Sequence, residues 1–92
     1  MTDKKPNKLI EFSPVFQKLI ASAPAEIQRA FREAYDLFRE HPDHPALRNH
    51  VLTGKFAGFR SIDVTGDWRA VYREKEDRIK FVAIGTHAKL YG

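Results

Sequence analysis

The chain has 92 residues, a formal charge of +4, no cysteine and 42% hydrophobic content. That length is one domain with one core, and the lack of cysteine excludes a disulfide framework, thiolate-bound zinc and a thiol nucleophile, so a reducing cytoplasm is the expected compartment. No stretch approaches the roughly 20 apolar residues of a membrane span, and the start, Met1-Thr2-Asp3-Lys4-Lys5-Pro6-Asn7-Lys8, has no apolar signal-peptide core. A soluble, unexported domain spanning 1–92 is expected, with residues 1–7 as a flexible N-terminus. The basic balance favours a polyanion or an acidic protein as partner, although a charged surface kept for solubility accounts for it equally well.

Lys8-Leu9-Ile10-Glu11-Phe12 is a short strand candidate. Ser13-Pro14 then stops it or starts a helix, because serine caps helices and proline suits the first helical turn. Val15, Phe16, Leu19, Ile20 and Ala23 fall on one helical face. Pro24 marks a break, and a longer helix is predicted from Ala25 to Glu40, with Ile27, Ala30, Phe31, Ala34, Leu37 and Phe38 as its apolar stripe. So little chain between the two implies a helical hairpin. His41-Pro42-Asp43-His44-Pro45 cannot continue the helix, since each proline lacks a donor and restricts the residue before it.

Beyond this loop the period changes to two. Phe59 to Val64, Trp68 to Glu74 and Arg78 to Ile84 are strand candidates rich in β-branched and aromatic residues. Thr65-Gly66-Asp67 and Lys75-Glu76-Asp77 are short enough for hairpin turns, so the three strands form an antiparallel meander. The expected fold is α+β, an N-terminal strand and helical hairpin packed on a small antiparallel sheet. Ile62, Val64, Val71, Val82 and Ile84 are candidates for the buried side, and a single bulge would change which set faces inward.

Four histidines are the first candidates for chemistry, since imidazole, with an ordinary pKa of about 6.5, serves as base or acid near neutrality. His41 and His44 flank Asp43, but neither their spacing nor a fourth ligand supports a metal site. His50 stands near the expected entrance to the sheet and His87 at the end of its last strand. Asp67 and Trp68 occupy a predicted turn, and Arg69 follows. Each residue alone has a plain structural reading: a turn aspartate, a core tryptophan, solvated arginines at 60 and 69. Together, a carboxylate, two imidazoles, guanidinium groups and exposed aromatics are the parts needed to cleave RNA without a metal. A base removes the ribose 2′-OH proton, the oxygen attacks the adjacent phosphate, and an acid protonates the departing 5′-oxygen. Arg or Lys offsets the phosphoryl charge, while Trp or Tyr stacks on a base.

The segment from His50 to Tyr91 resembles the YafQ-like branch of the RelE/ParE toxin superfamily. The likeness is carried by the histidine before a glycine-containing loop, by Gly58-Phe59-Arg60, Asp67-Trp68 and Gly85-Thr86-His87, and by the final Leu90-Tyr91 pair. The resemblance implies a RelE-like fold and a ribosome-dependent mRNA endonuclease of a type II toxin–antitoxin system. It also implies a cognate antitoxin as partner in a hetero-oligomer, the ribosome and mRNA as targets, and no cofactor. By position, it implies His87 as general acid, Asp67 or His50 as base, and Trp68 and Tyr91 as nucleotide contacts; Lys55, Arg60 and Asp63 are the further RNA-binding candidates. This sequence departs from the branch at Asp63, where the pattern has a second histidine, and at Ala83, where it has an arginine. Arg69 resembles a catalytic-site arginine of the RelE branch, which implies relocated charge. The superfamily also contains ParE-like toxins that inhibit DNA gyrase without cutting RNA, and a degenerate member that only binds its antitoxin is the third reading. The joint presence of His50, Asp67 and His87 favours the nuclease.

Overall fold

A computed structural model describes residues 8–92; the expectation for residues 1–7 lies outside the described residues. β1 (Leu9–Phe12) leads into α1 (Pro14–Ala21), with Ser13 as its cap: its side-chain oxygen accepts the Phe16 N–H at 3.0 Å. α2 (Ala25–Glu40) follows and ends at His41. A 3-10 turn at Pro45–Leu47 connects it to β2 (His50–Val51), and a second at Gly54–Phe56 leads to β3 (Arg60–Asp63). β4 (Trp68–Glu74), β5 (Arg78–Thr86) and a short α3 (His87–Tyr91) complete the chain.

The sheet order is β1-β5-β4-β3-β2. The meander β3-β4-β5 is antiparallel as expected, and β2 extends it antiparallel. β1 makes the sheet mixed, pairing parallel with β5 from Leu9 opposite Arg78 to Phe12 opposite Phe81. None of the described helices is long and apolar enough to cross a membrane.

One sheet face packs against α1 and α2. Ile62, Ala70, Tyr72, Ile79, Phe81 and Ile84 join Phe16, Ile27, Phe31, Ala34 and Phe38 in one core. Phe81 is its hub, with the rings of Phe12, Phe16, Phe31, Tyr35, Phe38 and Tyr72 centred 5.3–6.2 Å away. The stripe read for α2 faces this core. In α1, Val15 and Leu19 are exposed, at 59% and 39%, while Phe16 and Ile20 pack inward. The short helix meets the sheet along one narrow line, so only part of its apolar face is covered.

The bulge anticipated as a hazard occurs in β5. Val71 pairs with Ala83 but Tyr72 pairs with Phe81, which leaves Val82 without a partner on β4. The extra residue shifts the alternation by one, so Phe81 and Ile84 both reach the helix side. Val82 is half-buried at the bulge, and Val71 is buried on the face opposite Ile62.

Candidate active site

The face turned away from the helices begins with small residues. Ser61, Val71 and Ala83 form one cross-strand row, and Asp63, Arg69 and Gly85 the next. Over this floor lies a cleft of about 360 Å³, lined by Arg48, His50, Leu52, Thr53, Ser61, Arg69, His87 and Tyr91. Four separated stretches of chain supply those side chains.

His50 opens β2 at the sheet edge, opposite Ser61. Its Nδ1 lies 2.7 Å from the Arg48 carbonyl oxygen. A carbonyl oxygen can only accept, so Nδ1 carries the proton and the neutral ring keeps the Nε2 lone pair available. His87 is the first residue of α3. Thr86 caps this helix through its hydroxyl, which accepts the Lys89 N–H at 3.2 Å. The His87 N–H donates to the Asp67 carbonyl at 2.9 Å, tying α3 to the β3-β4 turn. Four residues on, Tyr91 sets its ring 4.8 Å from that of His87, the separation expected of i and i+4 on a helix. The Tyr91 ring also meets Phe56 at 5.9 Å, and its hydroxyl donates to Ser61 Oγ at 3.4 Å.

Asp63 stands between two guanidinium groups. Arg69 Nε lies 3.1 Å from Oδ1 and Arg48 Nε 3.1 Å from Oδ2. The Oδ1 contact is close but poorly aligned, so this buried atom has charge compensation without a directed hydrogen bond. Arg69 Nη1 donates to the carbonyls of Thr65, Gly66 and Trp68 at 3.1, 3.2 and 3.2 Å.

The remaining sequence candidates sit elsewhere. Trp68 precedes Arg69 on β4 and therefore points to the opposite face, where it packs against the core. Arg60 is also on the helix side, donating from Nε to Asn49 Oδ1 at 3.0 Å. Asn49 Nδ2 in turn donates to the Tyr72 hydroxyl at 2.8 Å and to the Pro42 carbonyl at 3.1 Å. Burial pushes the Tyr72 phenol above its ordinary value, against the opposing influence of Asn49 and Arg60. Asp67 is exposed at the turn, and it touches the site through its backbone contact with His87. Lys55 is exposed in the second 3-10 turn, its Nζ 5.7 Å from the Phe56 ring centre.

Arg48, Leu52, Thr53 and Ser61 line the cleft but were not singled out from the sequence. Ser61 could have been found by counting two residues back from Asp63 along β3. Arg48 lies in an irregular loop, where no periodicity marks it.

The chain matches the family described as "Bacterial toxin of type II toxin-antitoxin system, YafQ" over residues 10–92. It is 37% identical over 49 residues to the mRNA interferase toxin YafQ of Escherichia coli strain K12, a match covering 52% of this chain and 53% of that protein. The chain thus spans about half the length of the curated relatives it matches. Over longer stretches it superposes on the crystal structure of YafQ from E. coli strain BL21(DE3) with a TM-score of 0.79 and 25% identity. That superposition covers 92% of this chain and 99% of the other. YafQ in the E. coli DinJ-YafQ toxin-antitoxin complex superposes with a TM-score of 0.76 at 25% identity, covering 92% and 98%.

Proposed function

Starting from a chain that belongs to the YafQ toxin family of bacterial type II toxin–antitoxin systems, we propose that it is a ribosome-dependent mRNA endonuclease working by general acid–base catalysis. The observation that carries this reading is the convergence of His50, His87, Tyr91 and an arginine pair on one cleft on the open face of the sheet.

His50 Nε2 is the base. With Nδ1–H held by the Arg48 carbonyl, the ring offers its other nitrogen to the ribose 2′-OH and takes that proton. The 2′-oxygen forms a bond to phosphorus, and the bond from phosphorus to the 5′-oxygen breaks. Protonated His87 delivers a proton to that leaving oxygen. The products are a 2′,3′-cyclic phosphate and a free 5′-hydroxyl, with one proton taken up and one released. Tyr91, its ring exposed on one side and supported by Phe56 and His87 on others, stacks on the nucleotide and keeps the attack in line. Asp67 serves the site through its backbone carbonyl, which accepts the His87 N–H and fixes the start of α3. Trp68 supports the site from behind, as packing for the β4 strand that carries Arg69.

The net charge of +4 suits docking against ribosomal RNA, where phosphate contacts position a protein without reading sequence. Lys55, exposed beside the cleft-lining Thr53, is placed for such a contact. The partner in the cell is an antitoxin protein, as DinJ is for YafQ in the solved complex, and the site of action is the cytoplasm.

The test is cleavage of mRNA on programmed ribosomes, with 5′ ends mapped. His87→Ala is expected to slow cutting by about 10²–10⁴-fold, the range for loss of a positioned acid. A substrate with 2′-deoxyribose at the cleaved position should resist, since the attacking oxygen is missing. Efficient cutting of that substrate would remove the mechanism.

A further inference from the structure

We propose that Arg48 supplies the guanidinium that meets the charge building on the scissile phosphate, with Asp63 and Arg69 as the brace that aims it. This deepens the nuclease reading above and rests on it.

Two arginines flank one carboxylate in the cleft, so one positive charge is left in excess. The two are not equivalent. Arg69 has a side chain only 12% exposed, and its Nη1 is committed to three backbone carbonyls of the β3-β4 turn. Swinging it toward a substrate would strip those carbonyls and break its pairing with Asp63. Arg48 has a side chain 69% exposed, ion-paired to Asp63 with Nε 3.1 Å from Oδ2. Its Nη groups donate no hydrogen bond to the protein among the described residues. With Nε anchored, they form a planar edge open to a ligand, the geometry that grips two phosphate oxygens at once.

The backbone reinforces this assignment. Arg48 has φ 46° and ψ 46°, the left-handed conformation, and is the only non-glycine residue with positive φ among those described. Glycine would occupy this position without steric penalty. Such conformations persist where the surroundings over-determine them, and they cluster at functional sites. Here the surroundings are identifiable. Asn49 is fastened to Pro42, Arg60 and Tyr72 on the helix side, and it fixes the chain between Arg48 and His50. The Arg48 carbonyl holds His50 Nδ1, so one residue sets the base through its backbone and faces the phosphate through its side chain. Ser61 and Ala83 keep the floor uncharged, and the cation enters from the wall instead.

A side-chain substitution at 48 leaves the carbonyl contact to His50 in place, which makes the two roles separable. Single-turnover cleavage of mRNA on programmed ribosomes by the full chain, at saturating protein, tests the assignment. Arg48→Ala and Arg48→Gly should each lower the cleavage rate by about 10²–10³-fold, as for removal of one donor to a developing oxyanion. The protein concentration giving half-maximal rate should change little. Arg48→Gly should melt at or above the parent temperature, because the left-handed strain is relieved. Arg48→Lys should recover most of the rate, to within about tenfold of the parent, since charge is kept and the two-point grip is lost. Asp63→Asn should cost about tenfold by removing the charge that pairs with both arginines. Arg29→Ala, which removes one exposed charge from α2, should match the parent. If Arg48→Ala cuts within threefold of the parent, or loses only affinity, the assignment to Arg48 is overturned. The parent and His87→Ala in the same assay separate the two levels: no cutting by the parent overturns the nuclease reading, normal cutting by His87→Ala overturns its role as acid, and an inactive His87→Ala beside an active Arg48→Ala overturns only the role of Arg48.

Discussion

On the helix side of the sheet, Phe81 lies within 6.2 Å of six other aromatic ring centres, and almost all contacts are apolar. On the opposite side the same strands carry Ser61, Asp63 and Arg69, and the organising contacts are ion pairs and hydrogen bonds to loop backbone. The first face is held by burial, which is collective and non-directional. The second depends on single directed contacts from the 48–53 loop, the β3-β4 turn and α3. One sheet thus separates the residues that keep the domain folded from those proposed to give it chemistry, and a change on one face should leave the other quantity nearly untouched.

The largest expected effect is on the packed face. Phe81→Ala should lower unfolding stability by about 3–5 kcal/mol, the range for emptying an aromatic core site, as measured by urea or thermal unfolding. The fraction that stays folded should still cut. A loss below 1 kcal/mol would mean that Phe81 is not the hub. Ser13→Ala removes the oxygen that accepts the Phe16 N–H and should cost about 1 kcal/mol, with cleavage by the folded protein unchanged. Tyr72 offers a pH-dependent version of the same comparison. Its pKa in the fold lies above the unfolded value because burial disfavours the phenolate. The folded state therefore binds the proton more tightly, and this contribution is complete below about pH 10 and lost as pH rises through the folded pKa. Tyr72→Phe should flatten the alkaline decline in stability; an unchanged decline would assign it to other groups. The smallest stability change is expected from His87→Ala, within about 0.5 kcal/mol because the side chain is exposed, although its effect on cutting is the largest. A concurrent fall in stability and activity would erase the division between the faces.

The same division governs what could be read from the sequence. The α2 stripe and the three meander strands follow from periodicity, since burial imposes a repeat that survives as a pattern. The parallel pairing of β1 does not, because Leu9 meets Arg78 across the length of the chain and nothing local encodes it. Val15 and Leu19 fit the α1 stripe and yet are exposed, since periodicity gives a direction but not the width of the surface it meets. His50, His87 and Tyr91 were legible through a family resemblance, as residue types at characteristic positions. Trp68 and Arg69 are grouped by the sequence as parts of one site, but neighbours on a strand point to opposite sides. Arg48 was invisible because its place depends on a left-handed turn and an asparagine clamp.

The unpaired Val82 in β5 carries a further consequence for folding. Consider the bulge ironed out while Ala83 stays opposite Val71. Phe81 would then turn to the cleft face, and Lys80 would turn toward the aromatic cluster. Moving the irregularity to the other end of the strand, with Phe81 kept opposite Tyr72, would turn Ile84 out of the core to the cleft face and displace Gly85 and Thr86, and with them His87. A misregistered chain cannot keep a sound core with a damaged site by relocating one side chain, because the two are geared to the same extra residue. Correct alignment of β5 is therefore a single commitment, and quality control that senses an exposed core would also remove molecules with a misassembled cleft.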